Sequence, residues 1–259
     1  MLFADNHVLG LNKPCGVLSQ RDRTGDASVN DWALAWLARE RGTKFAAAVH
    51  RLDRPASGAM LIAATSKAAS RLSAAMSAHG RVRKTYVACV EGADRLEDRS
   101  WVVASMTQAG DAASAARRAK CTTLCHSRDR PAWESMDARG GRLAVLEYEV
   151  LSRDATRALV AVELVTGRRH QIRAQFAALG SPVVGDRKYG RSSWSSRRQP
   201  AIALHAAALV APHPIAGRPP ISIVAPADTA AWADLGVGDT LLRSLRAYVA
   251  EEEERRRQE

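Results

Sequence analysis

Cysteine is scarce in this 259-residue chain: four thiols stand at positions 15, 89, 121 and 125, too few and too irregularly spaced for a disulfide framework. A reducing compartment is expected. Long apolar runs are missing as well, since no stretch approaches the roughly 18 residues that a membrane span needs, and no basic amphipathic segment carries large apolar residues on its other face. Membrane binding is therefore not expected. Met1 to His7 have neither the apolar centre of a signal peptide nor the Arg/Ser-rich, acid-free look of an organellar presequence. The cytoplasm is the expected compartment, with a mitochondrial or similar matrix as the alternative. There is no repeat at solenoid or propeller spacing, no phosphate-cradling glycine loop and no metalloprotease helix motif. Cys121, Cys125 and His126 offer three metal ligands where a structural zinc site wants four. Neither a metal nor an organic cofactor is expected.

Acidic residues are in deficit, 27 against 38 Lys and Arg, so the formal charge is +11. Such a balance points to a polyanionic partner, RNA or DNA ahead of anionic lipid. The charge is concentrated: between Arg168 and Arg198 lie eight Lys or Arg residues and one acid, Asp186, together with Tyr189 and Trp194. Cations interleaved with flat rings are how looped or single-stranded RNA is gripped. Arg169, Arg187, Lys188, Arg191, Arg197 and Arg198 are the candidate RNA-binding residues. A solvated charged face is the alternative, but it would normally mix both signs.

With 46% hydrophobic residues the chain can fill a sizeable core. Val8 to Asn12 reads as a strand and Lys13-Pro14-Cys15-Gly16 as a turn. Ser28 opens a helix with Asp31 as its capping-box partner, and Gly42 closes it. Trp32 and Trp36 on that helix are expected in the core. Ala59 to Ala64 is a buried strand, Ser66 to His79 a helix, and Thr85 to Val90 a strand. Residues 93–142 lose periodicity and are expected to form a long, partly mobile excursion. Leu143 to Leu151 and Leu159 to Val165 form a hairpin, Arg168 to Leu179 a helix, and Ile202 to Val210 and Ile221 to Ala225 two further strands. From Thr229 a polar helix, interrupted near Gly236, runs to the end. Its run Glu251 to Arg257 pairs acids with arginines four residues on, the pattern of a solvated tail.

The most telling stretch is His50-Arg51-Leu52-Asp53-Arg54-Pro55-Ala56-Ser57-Gly58. It sets one carboxylate between two guanidinium groups, and an opposite charge nearby favours the charged form of a carboxyl group. That suits a nucleophile. An ordinary surface ion pair of Asp53 with Arg51 or Arg54 is the alternative.

Together with five other segments, this stretch resembles the RluA-type RNA pseudouridine synthases, from about residue 5 to 225. The segments occur in the family's order: Asn12-Lys13-Pro14-Cys15-Gly16, His50-Arg51-Leu52-Asp53 with Ser57-Gly58, Lys84-Thr85-Tyr86, Thr166-Gly167-Arg168-Arg169-His170-Gln171-Ile172-Arg173, Gly185-Asp186-Arg187-Lys188-Tyr189-Gly190 and Leu204-His205-Ala206. The resemblance implies an α+β fold with a mixed, largely antiparallel sheet flanked by helices. Residues 1–228 would form the catalytic domain, with 93–142 as an insertion and 229–259 as a charged helical tail.

The resemblance also implies isomerisation of uridine in RNA to pseudouridine. Asp53 would be the nucleophile, adding to ribose C1′ or to uracil C6. Arg173 would pair with it, a phosphate contact being the alternative. Tyr86 would lie against the base with its hydroxyl near C5, and Arg51 would fill the space left by a flipped uridine. Ile172 would line the pocket floor. Lys13, His50, Arg54, Lys84, Arg168, His170 and Gln171 complete the expected substrate contacts. Two departures stand out: the family usually has threonine at the position of Ala56, and one in the strand near Leu146. The chain also starts close to the first shared segment, leaving no room for the small N-terminal RNA-binding domain of many relatives. A ribosomal or transfer RNA substrate, monomeric behaviour, and action within a ribosomal or assembly particle are expectations. A non-catalytic RNA-binding relative acting in ribosome assembly is the second reading.

Overall fold

Ser28 starts the first helix for a local reason: its hydroxyl accepts from the Asp31 amide while the Asp31 carboxylate accepts from the Ser28 amide. Gly42 ends it at φ 65°, a left-handed conformation that glycine adopts without strain. The computed structural model describes residues 1–78, 80–108, 119–138, 140–190 and 201–258. In chain order the elements are β1 Phe3–Ala4, β2 Val8–Lys13, α1 Val29–Arg41, β3 Ala47–Ala48, β4 Ser57–Ala63, α2 Ser66–Ser77, β5 Arg83–Glu91, β6 Arg99–Gln108, β7 Ala119–Ser127, β8 Arg142–Arg153, β9 Arg157–Leu164, α3 Gln171–Ala178, β10 Leu204–Ala211, β11 Ile221–Val224, α4 Thr229–Ala233 and α5 Asp239–Gln258.

All the strands join one sheet in the order β1-β2-β4-β10-β5-β9-β8-β6-β7, with β3 on β4 and β11 on β10. The β4–β10 pair is parallel and the other pairs are antiparallel. The fold is therefore the expected α+β arrangement. Strand periodicity distributes the core. Leu9, Leu11, Met60 and Ile62 face α1 through Val29, Ala33 and Leu37, while Val8, Ala59, Leu61 and Ala63 face α2 through Ala68 and Leu72. On β5, Val87 and Cys89 turn toward α5, and Tyr86, Ala88 and Val90 turn toward α3. That alternation brings Tyr86 to the α3 side of the sheet.

Several expectations need correction. Trp32 is 48% exposed instead of buried, and Trp36 is half-buried beside the α1 core with the Arg41 guanidinium over its ring. The excursion at 93–142 contains β6 and β7, which extend the sheet from β8. Small and polar residues fill most of β7 and flank the apolar Trp101 to Val103 of β6, so neither strand shows the clean apolar alternation that reveals a strand. Helix α2 ends at Ser77, and α3 begins at Gln171 instead of Arg168. In the C-terminal run Glu251, Glu253, Glu254 and Arg255 are exposed as expected, Glu252 is buried, and the part of the helix before the run is not solvated. Gly236 separates α4 from α5 as expected, but Leu241, Leu242, Leu245 and Val249 of α5 pack with Val87, Cys89 and Leu159 on the sheet. Their spacing of three and four residues is the amphipathic stripe of a docked helix. Among the described residues no helix is long and apolar enough to cross a membrane, and no group of three or more His, Cys, Asp or Glu is placed to hold a metal ion.

Candidate active site

Asp53 sits on the turn that leads into β4, and that turn is held from below. Buried Lys13 donates to the carbonyls of Pro14, Val17 and Arg54 at 2.9, 2.8 and 3.2 Å. Ser19 donates from its hydroxyl to the Leu52 carbonyl and accepts from the Leu52 amide. The Gly16 amide donates to the Arg54 carbonyl, the Ala56 amide to the Asp53 carbonyl, and the Ile202 amide to the Pro55 carbonyl. Gly58 follows at φ 117°, where a Cβ would meet the backbone of Ala206 at 2.3 Å. No other residue type lets β4 run so close beside β10. Ser57 adds its hydroxyl, 2.9 Å from His205 Nδ1, and His205 Nε2 lies 2.9 Å from the Ala225 carbonyl.

The partner of Asp53 is Arg173 on α3. Its Nη1 donates to Asp53 Oδ2 at 2.7 Å, while Nε and Nη2 donate to the two oxygens of Asp186 at 2.7 and 2.9 Å. Asp186 is fully enclosed and also accepts from the amides of Lys188 and Tyr189. Burial opposes both charges, yet the hydrogen bonds and attraction between Arg173 and Asp186 hold the carboxyl below its ordinary value and the guanidinium above its own. Such charge-assisted bonds orient as well as hold. Neither neighbour of Asp53 in sequence takes this part. Arg54 donates to the Gly16 carbonyl and pairs with Asp26, and Arg51 extends, exposed, at the rim of the cleft.

The cleft above Asp53 has a volume of about 960 Å3 and is lined by His50, Arg51, Tyr86, Lys84, Thr166 to His170 and, across from them, Met76 to Ala78, Met106 and Arg142. A lining that mixes apolar side chains such as Met76, Met106 and Leu164 with the cations of Arg51, Lys84, Arg142, Arg168 and Arg169 suits a flat, polar ligand carried on an anionic backbone. Burial and then the charge of Asp53 raise the Tyr86 phenol well above its ordinary value, so the hydroxyl stays protonated. Burial lowers Lys84, and burial with the charge of Lys84 pushes the His50 imidazole well below its ordinary value. His50 Nε2 accepts from the Leu61 amide at 2.9 Å. His170, at the mouth of α3, is brought down to about 4 by burial, against the pull of Asp53.

A family model described as RNA pseudouridylate synthase matches residues 7–178. The chain belongs to that family. It is 34% identical over 218 residues to "Uncharacterized RNA pseudouridine synthase YhcT" of Bacillus subtilis, covering 83% of this chain and 64% of that protein. It is 32% identical over 229 residues to "Dual-specificity RNA pseudouridine synthase RluA" of Escherichia coli, covering 88% and 93%. A solved structure titled "Human RNA Pseudouridylate Synthase Domain Containing 1" matches with a TM-score of 0.66 at 23% identity, over 95% of this chain and 94% of that one, and shows the same fold.

In this pseudouridine synthase family member, Asp53, Arg173, Tyr86, Arg51, His50, Lys84, Arg168, Arg169 and His170 come together at the cleft. Others do not line it. Lys13 is enclosed and spends its ammonium on three carbonyls, and burial lowers it to about 8. Gln171 is buried, accepting from the Thr166 hydroxyl and the Arg168 amide and donating to the Val145 carbonyl. Ile172 packs in the core with Leu52 and Phe176, beneath the cleft and not on its floor. Arg54 is likewise a brace of the turn. Lys188 and Arg187 stand beside the Asp186 loop, while Arg191, Arg197 and Arg198 lie outside the described residues. Asp186 and Ser19 also hold the site, although neither was among the expected site residues. Asp186 carried a signal, as the one acid in the basic stretch; Ser19 carried none. Ala56 is buried in the same core as Leu52 and Tyr86.

Proposed function

We propose that this protein isomerises particular uridines of structured RNA to pseudouridine, with ribosomal RNA favoured slightly over transfer RNA. The observation that supports it best is the Asp53–Arg173 pair opening into the same cleft as Tyr86. Asp53 would attack either ribose C1′ or uracil C6. A carboxylate suits either route, since it can add and then leave. The N1–C1′ bond breaks, the uracil turns, C5 bonds to C1′, the bond to Asp53 is released, and the C5 proton departs to solvent while N1 takes one up, so product and substrate are isomers. The protonated Tyr86 phenol would stand against the base and relay that proton, not act as a resting base. Arg51, exposed at the rim, would take the place of the uridine once it is drawn from its stack, a step costing a few kcal/mol. The net charge of +11 supplies attraction to the RNA backbone.

Mapping pseudouridines in cells with and without the protein tests this reading. Loss of defined pseudouridines without it, restored by wild-type protein, is the expected result and names the substrate. An unchanged map together with a ribosome assembly defect would instead mark an RNA-binding relative without turnover.

A further inference from the structure

Among the described residues His170 is the one non-glycine residue at positive φ, with φ 58° and ψ 23°. A side chain in that region costs about 1 kcal/mol or more, and such strain collects at functional sites. Here it turns the imidazole between two groups. Nδ1 lies 3.0 Å from the Tyr189 hydroxyl and Nε2 3.6 Å from Asp53 Oδ1. The rings of His170 and Tyr189 meet edge to face with centroids 5.7 Å apart, and the Arg173 guanidinium lies 5.3 Å from the centre of the Tyr189 ring. Arg173 holds the other oxygen, Oδ2.

We propose that His170 is a positioning residue for Asp53: neutral, with its proton on Nε2, it steers Oδ1 while Arg173 holds Oδ2, and Tyr189 sets this tautomer by donating to Nδ1. The opposite tautomer would aim the Nε2 lone pair at a carboxylate. The charged form is opposed by burial and by Arg173, Lys188 and Arg169. A distance of 3.6 Å is beyond a hydrogen bond in the free protein, and the proposed contact forms by shortening when substrate binds. Once both oxygens are held from separate directions, the carboxylate plane is fixed for attack. The proposal rests on Asp53 being the nucleophile.

Three variants test it. His170→Gly accepts the backbone conformation and removes the imidazole, His170→Asn tolerates it and keeps a side-chain N–H, and Tyr189→Phe removes the donor to Nδ1. The first readout is the 15N spectrum of His170 in the free protein. The second is single-turnover release of tritium from cellular rRNA and tRNA labelled at uracil C5, with RNA affinity measured alongside. The expected spectrum is an Nε2–H imidazole in wild type, with that preference lost in Tyr189→Phe. His170→Gly is expected to slow release about tenfold or more with affinity within about twofold, and His170→Asn to recover part of the rate. An Nδ1–H imidazole in wild type, or a His170→Gly rate within about twofold of wild type, would overturn the proposal. Wild-type protein that releases no tritium sinks the isomerase reading, while the spectrum still decides the link between His170 and Tyr189.

Discussion

Each face of the sheet buries a carboxylate against a guanidinium, and the two pairs are built differently. On the α3 side Asp186 accepts from Arg173, 13 residues away, and Arg173 reaches on to Asp53, 120 residues away. On the α5 side Glu252, 1% exposed, pairs with Arg255 and Arg256 on its own helix. The first network ties the turn before β4, α3 and the loop after it into one rigid unit, which is what an oriented nucleophile requires. The Glu252 pairs with Arg255 and Arg256 lie within one helix, and losing them is expected to leave the cleft in place. A buried ion pair is weak grounds for stability, because desolvation offsets its attraction. What separates these two is which segments they join.

Arg173→Met should have the largest effect. It leaves Asp186 buried without its counter-charge, so unfolding in urea is expected to show a loss of about 3–5 kcal/mol, with pseudouridine formation abolished. A loss under about 1 kcal/mol would mean that the network does not hold the site together. Leu245→Ala empties a fully buried position under α5 and is expected to remove about 2–5 kcal/mol while the rate at low temperature stays at the wild-type level. A lowered rate would show that the α5 face reaches the cleft after all. Glu252→Gln is expected to cost about 1–3 kcal/mol, again without change in turnover.

The smallest effect is a slope. The folded protein holds His170 at about 4 where the ordinary value is 6.5. Between those values the unfolded chain binds a proton that the folded one does not, so His170 makes stability rise with pH across the window. His170→Asn should flatten the rise of the urea midpoint from pH 4 to 6.5. An unaltered slope would place the titration on another group.

Caps and patterns made much of the fold legible. Ser28, Asp31 and Gly42 bounded α1 because capping chemistry is local, and the short apolar runs at Val8 to Asn12 and Ala59 to Ala64 marked β2 and β4. The strands β6 and β7 were hidden because what fixes them is pairing, β6 with β8 and β7 with β6, which no local pattern records. Helix α5 was misread for the opposite reason: its many charges obscured Leu241, Leu245 and Val249, each four residues from the last. In the site, Asp53 stood out from its flanking arginines, yet Arg51 and Arg54 are not its partners. The bond to Arg173 spans 120 residues, and no local pattern records such a contact; the family resemblance alone pointed to it. Gln171, Ile172 and Lys13 share the conspicuous segments but serve the framework, since a short motif carries braces and working groups together.

The central claim is that Asp53 does chemistry and does not merely pair with Arg173. Tritium release from C5-labelled cellular RNA by Asp53→Asn, with RNA affinity determined on the same material, tests it most directly. No detectable pseudouridine with affinity within about tenfold of wild type is the expected result, because backbone phosphates dominate binding. Turnover by Asp53→Asn above about a hundredth of the wild-type rate would contradict the account, because removing a covalent nucleophile leaves no route through the intermediate.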